Sequence, residues 1–255
     1  MEIIEKIKTN KSDDNLTEIQ KICLHKLQSS PLPNPKSELW RLSNKSKLSN
    51  FLDYSVNEKD SKFDIPYPKN SQSTIRLIIG ENCQIKLIEK NYSIQQLSED
   101  ELKKYIKEQI SFFNQNENWS DLLNLSLSCK NNILGLKING SKIPPIEIFS
   151  HASSNSLNAK TLVIFLEKNC DVDLLQVNLG KENSSLSQST FFCLKENSSV
   201  NHGVVSFGES RSNLLNSLNV IQQKNSAYNL GSLHFKFNYA RFEISIKQSA
   251  GNAKT

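Results

Sequence analysis

The sequence predicts a mainly β protein that also contains α-helix, with an N-terminal helical domain followed by a parallel β-helix, the stacked-coil fold also called a β-solenoid. A turn sequence recurs at a fixed spacing in the second half, apolar residues recur at matching positions between the turns, and helical patterns are confined to the first half. A fixed period of about 20 to 50 residues is typical of stacked repeats, in which each copy forms one coil resting on the last.

The repeated turn begins at Asn169 and returns at Asn197 and Asn225, so its spacing is constant (197 − 169 = 28; 225 − 197 = 28). Asparagine tolerates the left-handed backbone conformation of tight turns, and its amide can stack in a ladder along the coils. We therefore predict a structural role for these asparagines rather than ligand binding. The three copies read Asn169-Cys170-Asp171-Val172, Asn197-Ser198-Ser199-Val200 and Asn225-Ser226-Ala227-Tyr228.

A fourth turn, Gly251-Asn252-Ala253, comes one residue early, and the sequence stops at Thr255 as the next strand should begin. The last coil is therefore expected to be uncapped at its C-terminal end. The other columns of the repeat keep their character from copy to copy. Apolar columns are Val172/Val200/Tyr228, Val177/Val205/Leu233 and Leu179/Phe207/Phe235; polar columns are Asp173/Asn201/Asn229 and Asn178/Ser206/His234; Phe165/Cys193/Ile221 lie on the strand before each turn.

The first half shows helical and strand patterns separated by a proline-rich stretch. Residues 14–29 carry apolar side chains at helical spacing and are predicted to form an amphipathic helix. Three prolines between residues 31 and 35 end it, because proline lacks a donor and holds the preceding residue extended. We predict an irregular connector from there to about residue 70. Segments 74–79 and 84–88 flank Gly80-Glu81-Asn82-Cys83 and are predicted to form a β-hairpin.

Two further helices precede the β-rich half. Ser98-Glu99-Asp100-Glu101 is a capping-box sequence, and a short helix is predicted from about Trp119 to Ser128. Strands are then predicted over 133–138, 145–149 and 162–166. These patterns divide the chain into a helical domain with a β-hairpin over residues 1–130 and an incomplete β-helix core over residues 131–255. The apolar face of the first of these helices is predicted to consist of Leu102, Tyr105, Ile106, Ile110 and Phe113.

Composition and charge argue against several classes of function. The net charge is +5, but the lysines are scattered, and nucleic-acid binding needs a concentrated positive stripe. No apolar run approaches the roughly 18 residues that span a bilayer, and the N-terminal residues carry no secretory or transit signal. Five cysteines without a C-x-x-C pair predict buried, reduced thiols rather than disulfides or a local metal site. We therefore expect a cytoplasmic protein that binds neither nucleic acid nor membrane.

Two histidines lie in the repeats. His202 falls in a column with Leu174 and Leu230. It is interpreted as a core histidine rather than as a ligand or a proton carrier, because a histidine in an apolar position is more often structural. His234 shares its column with polar residues, so we expect it to face solvent.

The remaining candidates for chemistry also have structural explanations. Cys23 and His25 lie two residues apart on a predicted helix, so their side chains diverge and cannot share a metal ion unaided. Asp171 and Asp173 are the only acidic pair in the repeats that suggests glycan chemistry, but acids do not recur at their positions in the next coils. Phosphate-binding, dinucleotide-binding, nucleophile-elbow and zinc-protease motifs are absent. The sequence therefore assigns no catalytic, cofactor-binding or metal-binding residue, and we predict that the chain is not an enzyme.

Four stretches together resemble one known family. Leu32-Pro33-Asn34-Pro35-Lys36-Ser37-Glu38-Leu39-Trp40-Arg41 is similar to the proline–basic–Glu–x–Trp–Lys/Arg signature near the N-terminus of SufD subunits, which belong to the SufB/SufD family of iron–sulfur cluster assembly proteins. SufB subunits do not usually begin this way. Trp119-Ser120-Asp121-Leu122-Leu123-Asn124 resembles the family's aromatic–x–x–Leu–Asn helix. Ala240-Arg241-Phe242-Glu243-Ile244 and Gly251-Asn252-Ala253 resemble its Ala-Arg–x–Asp/Glu–apolar and Gly–x–Ala patterns.

The resemblance implies an N-terminal helical domain, a right-handed parallel β-helix and a C-terminal helical domain. It implies a non-catalytic scaffold of the Suf complex that pairs with a SufB-like subunit, each member of the pair docking one SufC-like ABC ATPase. This chain alone is then expected to bind no cofactor, and a transient iron–sulfur cluster is expected only in the assembled complex. Family members are usually longer, and their docking helices and cluster-building residues lie beyond the matched positions. No site residue therefore transfers, and the chain is expected to be truncated at its C-terminus.

Two alternatives remain open. A β-helix carbohydrate-active enzyme or binding module would require a secretory signal and a carboxylate or aromatic strip along one face of the solenoid, and the sequence shows neither. A truncated, non-functional SufD fragment would have the same fold without the partners.

Overall fold

The computed structural model of the chain describes residues 18–29, 40–56, 74–79, 86–88, 91–112, 118–128 and 132–255, and single residues at 33, 36, 65 and 68. It is mainly β with helices on the N-terminal side, which confirms the predicted fold class. The helices are α1 (Glu18–Ser29), α2 (Lys45–Phe51), α3 (Glu99–Phe112) and α4 (Trp119–Leu127). The strands are β1 (Ile75–Ile78), β2 (Lys86–Ile88), β3 (Tyr92–Gln96), β4 (Ile133–Gly140), β5 (Ile146–Ala152), β6 (Leu157–Leu166), β7 (Asp171–Gly180), β8 (Ser185–Leu194), β9 (Ser199–Gly208), β10 (Asn213–Gln222), β11 (Ala227–Phe235) and β12 (Tyr239–Gln248).

The strands form two sheets that make the walls of a β-solenoid. A seven-stranded sheet has the order β12-β10-β8-β6-β4-β3-β2, and a five-stranded sheet has the order β1-β5-β7-β9-β11. From β4 onward, consecutive strands alternate between the sheets and pair in parallel with the strand one coil away. Leu157 pairs with Ser185, and Asp171 pairs with Ser199. Both offsets equal the spacing of the repeated turn (185 − 157 = 28; 199 − 171 = 28), so the predicted repeat is confirmed as one coil.

Each coil contains two turns of the same construction, so the backbone repeats at every half coil (183 − 169 = 14; 197 − 183 = 14). After the left-handed residue, most turns place a serine whose hydroxyl donates to the carbonyl of the first turn residue, as Ser198 Oγ does to Lys195 O at 2.7 Å. Ser156, Ser184, Ser212 and Ser226 repeat this bond. Positive φ angles of 54° to 58° occur at Asn155, Asn169, Asn183, Asn197, Arg211 and Asn225.

The turn asparagines form the predicted ladder. Asn197 Nδ2 donates to Asn169 Oδ1 at 3.1 Å, and Asn225 Nδ2 donates to Asn197 Oδ1 at 3.0 Å. Their left-handed backbone and their mutual hydrogen bonds confirm the structural role inferred from the sequence. A second ladder with 2.8 Å bonds runs across β7, β9 and β11 and consists of Asp173, Asn201 and Asn229.

The last coil departs from the regular spacing. Tyr239 pairs with Asn213, an offset of 26 (239 − 213 = 26), because β11 and the connection after it are each one residue shorter than their counterparts. Lys254 pairs with Ala227, an offset of 27 (254 − 227 = 27), so one residue is regained in the turn after β12. This explains why Asn252, which has a positive φ of 63°, comes one residue early.

The interior of the solenoid is apolar along one side and polar along the other. Lys160 is fully buried on the polar side, where its Nζ donates to Asn132 Oδ1 at 3.0 Å. Buried polar groups are stable only when they are hydrogen-bonded, so this side constrains how the coils stack. The polar side also contains Gln176, Asn178, Gln188, Thr190 and Ser206, which are linked by side-chain hydrogen bonds. The apolar side includes Leu162, Ile164, Val172, Leu174, Phe192, Leu194, Val200 and Val220.

The outer faces of the two sheets differ. α4 lies across β6, β8 and β10, and α1 packs on α4. As a result, β8 is buried along its whole length. In contrast, β9 alternates between buried and more exposed residues, as expected for a wall with one face toward solvent.

The predicted β-hairpin is wrong. β1 pairs in parallel with β5 in the five-stranded sheet, whereas β2 pairs with β3 in the seven-stranded sheet. Leu77 and Ile79 are buried in the interior of the solenoid, where they pack against residues of other coils. Strands from the predicted helical domain, residues 1–130, therefore contribute to both walls.

The predicted irregular connector contains α2. Asn44 caps this helix, because its Oδ1 accepts hydrogen bonds from the backbone N–H groups of Ser46 at 3.1 Å and Lys47 at 3.2 Å. These bonds satisfy donors of the first turn that have no partner within the helix. Leu48 and Phe51 of this helix are buried. The helix thus forms from a local cap and two apolar anchors.

The other predicted elements are confirmed where the structure describes them. The predicted helix over 14–29 is α1, and residues 14–17 lie outside the described residues. The capping box is formed, since Ser98 N donates to Glu101 Oε2 at 2.9 Å and Glu101 N donates to Ser98 Oγ at 3.3 Å. α4 and strands β4, β5 and β6 match their predicted segments to within a few residues at each end. On α3, Tyr105 and Ile106 are buried, and the side chains of Ile110 and Phe113 lie outside the described part.

Replacing Asn197 with alanine tests the turn geometry. The free energy of unfolding is expected to fall by about 1–2 kcal/mol, because alanine resists the left-handed conformation and both ladder bonds are lost. Asn197→Gly is the matched control, since glycine loses the same bonds without the conformational cost. Urea unfolding followed by far-UV circular dichroism measures both. Equal losses in the two variants would show that the left-handed backbone is not the limiting feature.

Candidate functional site

Trp40, Trp119 and Arg241 come from three distant parts of the sequence and meet on the helical side of the solenoid. The two indole rings pack edge to face with centroids 5.6 Å apart. The guanidinium carbon of Arg241 lies 3.8 Å from the centre of the Trp40 ring, in a cation–π arrangement. We call these three residues the tryptophan–arginine cluster. It holds the segment before α2 against β12, the terminal strand of the seven-stranded sheet.

Arg241 also makes polar contacts. Its Nη1 donates to Ser43 Oγ at 3.0 Å, and its Nε is paired with Glu243. The Arg241 and Glu243 side chains are 18% and 12% exposed. Because water screens such a pair only partly, removal of the arginine would leave a poorly solvated carboxylate. Nearby, Lys47 Nζ donates to Asn238 O at 2.9 Å and adds a second tie between α2 and the start of β12.

Asp121 is the buried charge of α4. Its Oδ1 accepts hydrogen bonds from Ser189 Oγ at 2.7 Å and from Ser217 Oγ, and its Oδ2 accepts one from Asn219 Nδ2 at 2.8 Å. Burial raises the pKa of this carboxyl to about 6, against the lowering effect of the three hydrogen bonds, and the charge of Glu243 adds to the rise. The helix is thus docked through a carboxyl group that ionises close to neutrality.

Further polar contacts continue along the same face of α4. Asn124 Nδ2 donates to Thr161 Oγ1 at 2.8 Å and to Lys160 O at 3.0 Å. Ser128 Oγ donates to Asn124 O and lies 3.2 Å from Thr161 Oγ1. Helix and sheet are therefore joined by hydrogen bonds as well as by apolar packing. We call this contact the polar seam; it consists of Asp121, Asn124, Ser128, Thr161, Ser189, Ser217 and Asn219.

His202 is a core histidine, as predicted. It lies on β9 between Leu174 and Leu230 of the neighbouring coils and is 2% exposed. Its Nδ1 is 2.6 Å from the hydroxyl of Tyr228, and its ring centroid is 5.0 Å from that of Phe192. Burial lowers its pKa to about 3, so the ring is neutral at ordinary pH.

The prediction that His234 faces solvent is wrong. Its column partners Asn178 and Ser206 are fully buried inside the solenoid, so His234 points inward as well. Its ring is partly buried and packs edge-on against Phe242, with centroids 5.1 Å apart, and burial lowers its pKa. The polar column does not indicate an outward position here, because one side of the interior is itself polar.

The thiols that the structure describes are buried and unbridged. Cys23 on α1, Cys170 in a turn and Cys193 on β8 are reduced thiols, and burial raises the pKa of Cys23 and of Cys170 to about 12. Cys83 and Cys129 lie outside the described residues. Among the side chains that are described, no three of the types His, Cys, Asp and Glu are grouped so that they could hold a metal ion.

The other sequence candidates are not brought together. Cys23 is buried while His25 is exposed on α1, so their side chains diverge as predicted. Asp171 and Asp173 are exposed on β7 and belong to the outward rows of the wall. Ser199 Oγ donates to Asp171, and Asp173 belongs to the second ladder. The acidic pair is therefore part of the surface hydrogen bonding between coils.

An apolar patch lies on the outer face of the five-stranded sheet. Phe207 and Phe235 are 43% and 37% exposed, their ring centroids are 5.0 Å apart, and Leu233 beside them is 51% exposed. We call these residues the phenylalanine patch. Gly231 lies next to it in an open position, since an added Cβ would meet nothing within 4 Å. Ile244, 48% exposed, lies apart from this patch on β12 of the other sheet.

Sequence reasoning missed the tryptophan–arginine cluster and the polar seam. A signal for the seam was present in β8, where Ser185, Ser187 and Ser189 alternate along a strand that is otherwise suited to burial. Polar residues at every second position of a buried strand indicate a partner that hydrogen-bonds to that face. Without knowledge of which face α4 covers, these serines cannot be assigned to it from the sequence.

Comparison with protein-family models, with curated proteins and with solved structures finds no match to this chain. Of the helices in the described part of the chain, none is long and apolar enough to cross a membrane. The tryptophan–arginine cluster, the polar seam, the phenylalanine patch and the sheet edges are therefore the features on which a function can be based.

Replacing Arg241 with alanine is expected to lower the free energy of unfolding by about 2–4 kcal/mol, because it removes the cation–π contact and leaves Glu243 without its partner. Arg241→Lys keeps the charge but not the planar guanidinium and should restore less than half of the loss. Lys104→Ala, at an exposed position of α3, is the control, with an expected change below about 0.5 kcal/mol. Urea unfolding followed by tryptophan fluorescence is the measurement. Similar losses for the two alanine variants would contradict the role of the cluster.

The low pKa of His202 makes the fold sensitive to acid. The ring stays neutral in the folded protein to about pH 3 but takes up a proton near pH 6.5 in the unfolded chain. Stability therefore falls as pH decreases from 6.5 toward 3, by up to about 1.4 kcal/mol per unit. The double variant His202→Leu/Tyr228→Phe removes the ring and the hydroxyl that would lose its partner. Compared by urea unfolding at pH 7 and 4.5, it should lose less stability than the unmodified chain; equal losses would contradict this assignment.

Proposed function

We propose that the chain is a non-catalytic scaffold subunit of an iron–sulfur cluster assembly complex of the Suf type. It pairs with a SufB-like subunit, and a SufC-like ABC ATPase joins the complex through that pair. The nascent cluster is cargo of the assembled complex rather than a resident cofactor of this chain. The observation that carries the proposal is that three sequence stretches resembling SufD meet in space around the tryptophan–arginine cluster.

Each of these stretches supplies side chains to the contact. Trp40 comes from the first stretch, Trp119 from the second, and Arg241 with its partner Glu243 from the third. Chance similarity of short motifs gives no reason for the matched residues to touch. Their contact supports a common architecture behind the resemblance, and hence the proposed family.

The form of the solenoid also suits a scaffold. Its walls are long parallel strands braced by side-chain ladders, and β11 and β12 lie at the edges of their sheets. Strand edges carry backbone groups that can pair with another strand. Ile244 lies on the edge strand β12, where its exposed apolar side chain is available to a partner. We therefore assign the pairing surface for the SufB-like subunit to the β12 edge.

A second candidate is a carbohydrate-binding module, which one observation favours. The phenylalanine patch forms a short aromatic strip on the outer face that also carries the ladder of Asp173, Asn201 and Asn229, six residues away along the strands (207 − 201 = 6). Aromatic faces provide apolar contact area, and side-chain amides provide donors and acceptors for hydroxyl groups. This strip is the feature that the sequence did not reveal.

Two substitutions distinguish these functions in one experiment. Ile244→Asp places a charge at the proposed pairing edge, and Phe207→Asp places the same charge on the phenylalanine patch. The affinity-tagged chain is co-expressed with SufB-like and SufC-like subunits, and the recovered partners are quantified. The unmodified chain and Phe207→Asp are expected to recover both partners. Ile244→Asp is expected to recover less than about a tenth as much, because burying an unpaired charge costs more than about 1.4 kcal/mol.

Retention on immobilised polysaccharides completes the test. If the chain is retained and Phe207→Asp is not, while neither recovers Suf partners, the carbohydrate-binding function replaces the scaffold function. A folded chain that recovers no partner and binds no glycan contradicts both proposals and fits a fragment without function. Circular dichroism of each variant verifies that the fold is retained.

A further inference from the structure

The polar seam surrounds one buried carboxyl group with donors from two strands. Asp121 lies on α4, while Ser189 is on β8 and Ser217 and Asn219 are on β10. α1 packs on the other side of α4, and Cys23 of α1 is close enough to interact with Asp121. The carboxyl group therefore lies between two helices and the wall of the solenoid. It plays no part in the proposed pairing edge.

The seam can accommodate both protonation states of Asp121. Ser189 Oγ and Ser217 Oγ are 2.9 Å apart, and either hydroxyl can donate or accept. When the carboxylate is ionised, both hydroxyls donate to Oδ1. When it is neutral, the acid O–H on Oδ1 donates to one hydroxyl, and Oδ2 still accepts from Asn219. The two states thus differ mainly in the presence of a buried charge.

Among the residues that the structure describes, the charged groups around the seam do little to compensate that charge. From β12, Glu243 repels the ionised carboxylate and is itself paired with Arg241. On α1, the Cys23 thiol remains neutral because burial raises its pKa. The charge of Lys26 lowers the pKa of this thiol, but by less than burial raises it. The strand residues that contact Asp121 contribute only hydroxyls and an amide. α4 itself contains no other ionisable side chain between Trp119 and Leu127.

We propose that docking of α4 on the solenoid is linked to protonation of Asp121, so that the helical layer is held more tightly when this carboxyl is neutral than when it is ionised. In the undocked helix the side chain is solvated and has an ordinary pKa near 3.8, whereas in the docked helix burial raises the pKa to about 6. The docked state therefore binds the proton more strongly. Raising the pH through this range weakens docking by a factor on the order of 100 in total. This linkage holds whether or not the proposed function does.

The test is hydrogen exchange of the α4 amides in the full chain between pH 5 and 7.5, corrected for the intrinsic pH dependence of exchange. Protection of α4 is expected to fall about tenfold over this range, while protection of β8 stays constant. Both tryptophans of the chain lie in the adjacent cluster, so their fluorescence reports the same transition.

Asp121→Asn is the main variant. Its amide mimics the neutral acid, because Nδ2 can donate to a serine hydroxyl while Oδ1 accepts from Asn219. Protection of α4 is then expected to be independent of pH. Asp173→Asn removes an exposed acid of the other sheet and is the control, which should keep the pH dependence of the unmodified chain.

Ser217→Ala distinguishes linkage between α4 docking and protonation of Asp121 from a purely structural role of the seam. It removes one donor to the ionised carboxylate, so the pKa of Asp121 should rise further and the midpoint of the pH dependence should move up by about half a unit or more. A purely structural role would lower protection at every pH without moving the midpoint. The proposal is overturned if α4 protection in the unmodified chain does not depend on pH, if Asp121→Asn retains the dependence, or if the midpoint of Ser217→Ala stays unchanged.

Discussion

The structure depends on the constant 14-residue length of the half coils between Asn155 and Asn225. Side chains along a strand alternate between the two faces, so a slip of one residue would exchange the inner and the outer sets. The left-handed residue of each turn, such as Asn183 or Arg211, returns the chain to the same register at every half coil. Ser189 and Ser217 thereby occupy equivalent positions in adjacent coils and present two hydroxyls, 2.9 Å apart, to one carboxylate. The docking of α4 is thus determined by turns that it does not contact.

Polar contacts at the seam and inside the solenoid fix the relative positions of helix and strands more than they add to the stability of the fold. Apolar surfaces tolerate sliding, whereas a carboxylate with three donors is satisfied in one position only. Asp121 fixes the place of α4 along the wall in this way, and Lys160 with Asn132 does the same for the coils within. The cost is a buried carboxyl group at the seam, whose pKa is raised by that burial.

The periodic part of the fold could be predicted from the sequence, because turn asparagines and apolar columns repeat with the coil. The half-coil period was missed, since Arg211 breaks the series of asparagines and its turn does not resemble the others. Whether a column of the repeat faces the interior or the solvent could not be predicted either. The interior contains Asn178 and Ser206, while Phe207 points outward. The hairpin error has the same origin, because local patterns do not tell which distant strand will pair. Trp40, Asp121 and Arg241 lie in the motifs that carry the family resemblance. Their contacts could not be predicted from the sequence, because these contacts join distant parts of the chain.

The tryptophan–arginine cluster has a consequence for how the chain is made. Contacts between coils join residues one repeat apart, so each new coil can settle on the last as it leaves the ribosome. In contrast, the hydrogen-bond partners of Asp121 lie 68 to 98 residues later in the sequence. Ser43 can bind Arg241 only after a further 198 residues have been synthesised. The helical layer therefore closes after the wall that it covers. During synthesis, Trp40 and the apolar side of α4 are exposed for the longest time, and this stage is the one at which a nascent chain of this fold most needs protection from aggregation.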